Sequence, residues 1–269
     1  MLEAALTIQG LTITTKRYPN DRSDTKLGNV LMRLILAALA LFTALAPARA
    51  GDAAELNILG FTKDGAIFAF EEYGVQDGSG FPYADRFYID TATDKFLPGS
   101  PVRVRIDDET AGLSAVRKQA AEAGQKLARD AELADNRGYT VAARAITQES
   151  DNPLEFIFKP RPIFPSSGPR LGFRIEAFDM PVPANCGGDE KFKGFRLLRL
   201  NPDAVGETSI VFEDKAIPDS RHCPVNYQLG AVQIWYSPQG NGVFAVLVSV
   251  ISIGFEGPNH RWIAITGKI

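Results

Sequence analysis

The sequence predicts a mainly β protein with one long helix, a single propeller-like or sandwich-like domain spanning residues 51–269. Three observations carry this. Short runs of β-branched and aromatic residues, punctuated by Gly, Asn, Asp and Pro, recur from Leu56 to the end of the chain. Val102-Arg103-Val104-Arg105-Ile106 alternates with the period of two of a half-buried strand. Only after Leu113 does the apolar spacing change to that of a helix.

Taken in order, residues 1–31 are polar, hold Lys16, Arg17, Arg22 and Lys26 and show no hydrophobic period. They are expected to be an untranslated or disordered upstream extension, with a second start at Met32. Residues 32–50, MRLILAALALFTALAPARA, have the make-up of an export signal. Arg33 supplies the positive charge, Leu34 to Ala46 form an apolar run of 13 residues, and Ala48-Arg49-Ala50 is a small-x-small cleavage site. That run is shorter than the roughly 20 residues a spanning helix needs, so no stable membrane anchor is expected. Cleavage after Ala50 would release a periplasmic or extracellular protein beginning at Gly51.

Leu56 to Thr91 reads as hairpin material, with a turn at Thr62-Lys63-Asp64-Gly65 and strands at Ala66–Phe70 and Arg86–Asp90. Thr93-Asp94 makes another turn. Leu113, Val116, Ala120, Leu127 and Ala131 give the helix its apolar stripe, with Asp108 or Thr110 as the cap, Glu122–Lys126 as a surface pair and Gly138 as the stop. Further strands are expected at Tyr139–Ile146, Leu154–Phe158, Leu171–Phe178, Phe195–Leu200, Ser209–Glu213, Ala231–Tyr236, Val243–Ile253 and Arg261–Thr266. Lys191–Arg196 alternates charge with aromatics, as a strand with a solvated face does. Pro160, Pro162, Pro165 and Pro169 mark an extended crossing loop, since proline donates no ladder bond.

Past residue 50 the chain holds 23 Lys and Arg against 29 Asp and Glu, a net charge of −6. That balance argues against nucleic acid, whose binding requires phosphate neutralisation by Lys and Arg, and against an anionic membrane surface. Cys186 and Cys223 are expected to form a disulfide, as two cysteines in an exported chain do.

The densest polar stretch is Glu71 to Gly80, with Asp85 beyond. Glu71, Glu72, Asp77 and Asp85 are read as carboxylates on a flexible loop. There they could bind a ligand, hold Ca²⁺ through hard oxygen donors, or supply the acid and base of a glycosidase. His260, Arg261 and Trp262 could bind an anionic or sugar ligand, but better fit a strand end with an exposed His, a paired Arg and a buried Trp. Gly78-Ser79-Gly80 fits neither a nucleophile elbow nor a dinucleotide loop, because Asp77 and Tyr83 stand where glycines belong. No catalytic residue and no obligate cofactor is assigned. The expected function is a non-enzymatic binding or interaction module for an envelope component or another exported protein. The alternatives are an envelope glycan hydrolase and a calcium-stabilised structural protein.

A weak internal repeat links the two ends. Thr62–Gly65, Phe68–Phe70, Gly80–Pro82 and Asp85–Phe87 correspond to Ser237–Gly240, Phe244–Val246, Gly254–Pro258 and His260–Trp262. Each copy resembles the outer hairpin of a blade in periplasmic TolB-type propellers, although the intervening chain lacks a blade period. The block from Gly60 to Tyr83 and the closing Gly254–Pro258 with Ile263–Gly267 resemble an uncharacterised family of predicted secreted bacterial proteins. That resemblance implies export and brings no catalytic residues with it.

Overall fold

The computed structural model describes Thr7, Ile8, Leu11, Thr12, Met32 and residues 51–149, 151–187, 191–204 and 206–269. The chain divides into two compact units, Met1–Ala48 and Arg49–Ile269. In the first, β1 (Thr7–Ile8) pairs antiparallel with β2 (Leu11–Thr12). The expected export signal lies outside the described residues except for Met32.

The second unit holds three antiparallel sheets. One comprises β3 (Glu55–Phe61), β4 (Ile67–Val75), β5 (Pro82–Asp90) and β6 (Lys95–Phe96) in that order, with β7 (Val102–Arg105) also pairing β5. The next comprises β8 (Tyr139–Ala143), β13 (Pro224–Tyr236), β14 (Gly242–Ser252) and β15 (Asn259–Lys268), ordered β15-β14-β13-β8. The last comprises β9 (Glu155–Phe158), β10 (Leu171–Asp179), β11 (Lys193–Leu200) and β12 (Thr208–Glu213), ordered β12-β11-β10-β9.

The β8/β13/β14/β15 sheet lies in the middle, because its two faces supply two different cores. Phe244, Val246 and Val248 pack with Phe173, Ile175, Phe195 and Leu197 of the outer sheet. Ala245, Leu247 and Trp262 pack with Phe61, Phe68, Phe70 and Phe87 of the first sheet. A strand covered on both faces needs no polar alternation, so Phe244–Val250 is buried without interruption. The packing is therefore sandwich-like, extended to three sheets. The two copies of the repeat are the β4–β5 and β14–β15 hairpins, in neighbouring sheets, and their connections touch where the Glu256 N–H donates to Asp77 Oδ2 at 2.9 Å.

Gly230 marks a bulge in β13, where the pairing with β14 shifts register between Leu229 and Ala231. A Cβ at this position would lie 2.1 Å from the Trp262 ring, so only glycine lets the strand pass under the indole.

Four expectations need correction. The single helix is two: α1 (Leu113–Gly124) and α2 (Asp130–Asp135). Gly124, a poor helix former, ends α1, pressed so close to the Tyr88 hydroxyl that a Cβ would sit 2.0 Å from it. Neither Asp108 nor Thr110 caps α1; Gly112 does, without a side-chain bond, while Asp108 accepts the Thr110 N–H within the preceding turn. Glu122 pairs back to Lys118 at 3.9 Å rather than forward to Lys126. Finally, the proline-rich segment does not cross between sheets. It joins β9 to β10, which pair directly, so it projects as a long hairpin connection with Phe164 99% exposed.

Candidate functional site

The most consequential correction concerns Glu71 and Glu72. They lie within β4 and not on a loop, at 0% and 4% exposure. Strand alternation sends them to opposite faces, and their cross-strand partners on β5 are Arg86 and Asp85.

On the helix-covered face, Glu71 gathers three partners. Arg86 Nε donates to Oε1 at 3.2 Å, while Arg117 Nη2 and Asn57 Nδ2 donate to Oε2 at 2.7 and 3.2 Å. Arg86 also donates to both oxygens of Asp130, at 2.8 and 3.0 Å, which ties α2 to the sheet. Arg117 lies over the Tyr73 ring at 3.9 Å.

On the opposite face, Glu72 meets the edge of the middle sheet. β15 pairs on one side only, so its outward N–H groups need acceptors other than a strand. The His260 N–H donates to the Asp52 carbonyl at 2.8 Å. The Trp262 and Thr266 N–H groups each donate to a carboxylate of the first sheet's strands and turns, Glu72 Oε2 and Asp94 Oδ1, both at 2.7 Å. Asp52 joins this seam by accepting from the Tyr83 hydroxyl at 3.0 Å and from Arg261 Nη2. Arg261 in turn lies over the Tyr83 ring at 4.8 Å.

The structure thus brings together Glu72, Asp85, His260, Arg261 and Trp262 from two clusters distant in sequence. Asp77 reaches only the neighbouring hairpin tip, and Glu71 is on the other face. Asp52, Tyr83, Asp94 and Arg103 complete the seam, and sequence reading missed them. The Glu71–Arg86 and Glu72–Asp85 pairs were within reach, since a six-residue connection between alternating strands sets that register. Nothing in the sequence pointed to Asp52.

Burial raises the Glu72 carboxyl to about 8, against the opposing pull of the Trp262 N–H and Arg261. It raises Asp85 to about 6, where Arg103 Nε, donating at 3.1 Å, restrains the rise. It raises Asp94 to about 6 as well. His260 is held below its ordinary value by burial and by Arg261, with Nδ1 3.1 Å from Ser249 Oγ.

A pH dependence follows. Folded Glu72 keeps its proton up to about pH 8, while an unfolded glutamate releases it near 4.5. Its contribution is therefore complete in acid and is lost as pH rises through the folded value. Thermal melts should show the protein more stable at pH 5.5 than at 8.5 by on the order of 2–3 kcal/mol. Glu72→Gln should flatten that slope; an unchanged slope in the variant would show that Glu72 is not its source.

Chemically, the seam is a set of satisfied groups. Each carboxylate accepts from an internal cation, hydroxyl or backbone donor, and Glu72 is closed to solvent. Among the described residues, no three of His, Cys, Asp and Glu converge as a metal ion would require.

An accessible concavity lies elsewhere, at the mouth between the middle and outer sheets. It encloses about 700 Å³ where β10 begins, β11 ends and β12 begins. Arg199, Thr208, Ser209, Leu171, Leu200 and Ile269 are among the residues that line it, with Pro160 and Pro169 of the proline-rich connection. Cys186 and Cys223 form the expected disulfide, which joins the β10–β11 connection to the start of β13.

No curated protein and no solved structure matches the chain. A family described as predicted secreted protein, DUF2259, matches residues 69–268, which include β5, both helices, the disulfide and all of the middle and outer sheets. The chain therefore belongs to this family of predicted secreted proteins, whose function is unknown.

Proposed function

We propose that the protein is a non-enzymatic binding module of the bacterial periplasm, released by cleavage after Ala50. One contrast supports the binding role. The buried carboxylates of the seam are occupied by internal partners, whereas the open concavity between the sheets is lined by polar and apolar side chains together, the composition of a ligand pocket. Processing at Ala50 is consistent with the fold, since Asp52 is already only 6% exposed and bonded to Tyr83, Arg261 and Asn259. A cut further along would remove that clasp.

The test uses protein purified from the cell envelope, whose intact mass should place its first residue at Gly51. Soluble envelope extracts are separated by size, and each fraction is added in a thermal melt and then analysed by mass spectrometry. The expected result is a fraction that raises the melting temperature while its own mass spectrum stays unchanged. New glycan fragments formed by the unaltered protein would instead establish the hydrolase alternative. Failure of every fraction to shift the melt would overturn the binding role.

A further inference from the structure

The sheet mouth has a feature that the hydrophobic pattern of the outer sheet does not require. Along β11 the residues facing the middle sheet are Phe195, Leu197 and then Arg199; the first two are completely buried in the shared core. Arg199 stands opposite Phe173 on one side and opposite Ser209 on the other, and directly opposed residues share a face. Half-buried Arg199 and exposed Ser209 thus carry the inward face of the outer sheet out to its open end.

The guanidinium is anchored without being neutralised. Its Nη1 donates to the Lys268 carbonyl at 3.1 Å, at the end of β15, and among the described residues no carboxylate pairs with it. The other arginine of the mouth is different. Arg170 is bound on Nε by Asp203 at 2.7 Å and on Nη2 by the Pro202 carbonyl at 2.9 Å, so it holds the turn after β11 in place. Arg199 therefore presents a positive charge, held by the Lys268 carbonyl, in an open cavity of about 700 Å³, on a chain whose balance past residue 50 is acidic. A planar guanidinium held in this way matches a carboxylate through paired charge-assisted bonds.

We infer that the mouth between the middle and outer sheets binds a carboxylate carried on an aliphatic body, with Arg199 and Ser209 taking the carboxylate and the side chains of Leu171 and Ile269 taking the body. The inference deepens the proposed binding role by naming the ligand class of that site. Two sources share this chemistry, a fatty acid and the C-terminus of an apolar peptide. Glu207, also at the mouth, donates nothing to a carboxylate, and its Oε2 is already occupied by Asn201 Nδ2 at 2.8 Å.

The experiment is calorimetric titration of the exported protein with four probes: dodecanoate, methyl dodecanoate, trileucine and trileucine amide. At least one free acid should bind, and its blocked counterpart should bind tenfold more weakly or worse. Arg199→Met should impose a loss of similar size, and Ser209→Ala a smaller one. Dodecanoate binding alone identifies a lipid-derived ligand, and trileucine binding alone a peptide terminus. Blocked ligands that bind as well as the free acids overturn the carboxylate while leaving the binding role intact. Absence of binding by both acids at 1 mM, roughly the weak end of specific association, also overturns it, and the extract melts then decide the binding role separately. If Arg199→Met fails to fold, the comparison of acid with ester on the unaltered protein still decides.

Discussion

Glu71→Ala should destabilise the protein by about 3–5 kcal/mol, the cost of stripping one partner from a buried ion pair. The side chain of Arg86 is 7% exposed and that of Glu71 is 0% exposed, so removal of the carboxylate leaves a guanidinium in the interior with Asp130 as its remaining carboxylate. Arg117 loses its bonds as well, and with them one link between α1 and the sheet. Urea unfolding followed by circular dichroism measures the loss, which corresponds to a fall of roughly 10 °C in melting temperature for a domain of this size. Glu71→Gln keeps the volume and one acceptor and should lose less than the alanine variant. A loss below 1 kcal/mol for the alanine variant would mean that water or a rearranged Arg86 compensates the pair.

The second large effect is expected from the disulfide. Cys186 and Cys223 are separated by 37 positions, a loop whose closure in the unfolded chain is worth about 4 kcal/mol in the chain-entropy description. The bond links the outer sheet's β10–β11 connection to β13 of the middle sheet, so its loss also loosens the junction near Arg221. There the Arg221–Asp214 pair is buried, with side chains 8% and 2% exposed, and Arg221 lies 5.1 Å from the Phe195 ring. Protein carrying Ser at both positions, or made in a reducing cytosol, should unfold at correspondingly lower urea. Equal midpoints for the oxidised and doubly substituted proteins would show that the native contacts alone set the stability.

These two sites differ in how far the sequence anticipated them. The cysteine pairing followed from two residues in a chain read as exported, because with two cysteines the choice of partner was already made. Glu71 was read as part of a solvated loop because four carboxylates and three glycines fall within a short stretch, a composition that turns share. The strand continues through Glu71 and Glu72 because Glu71 meets Arg86 across the sheet and Arg117 on a helix, while Glu72 accepts the Trp262 N–H of another sheet, and a sequence window cannot contain those partners. The helix was misjudged for a related reason. Its apolar spacing continues past Gly124, but the close approach to Tyr88 makes that glycine a contact point, and the helix stops there.

The amino-acid sequence by itself determined where most of the strands lie, that the fold is β-rich and that the cysteines pair. These are matters of local periodicity, turn chemistry and compartment, each legible in a few neighbouring residues. The tertiary structure alone decided that three sheets stack with β14 buried on both faces, and that Glu72 and Asp94 cap the open edge of β15. It also decided that Arg199 faces inward at the mouth between two sheets. The physical reason is that burial, edge capping and counter-charge depend on what lies across a sheet, and residues 50 to 200 positions apart meet only when the layers close.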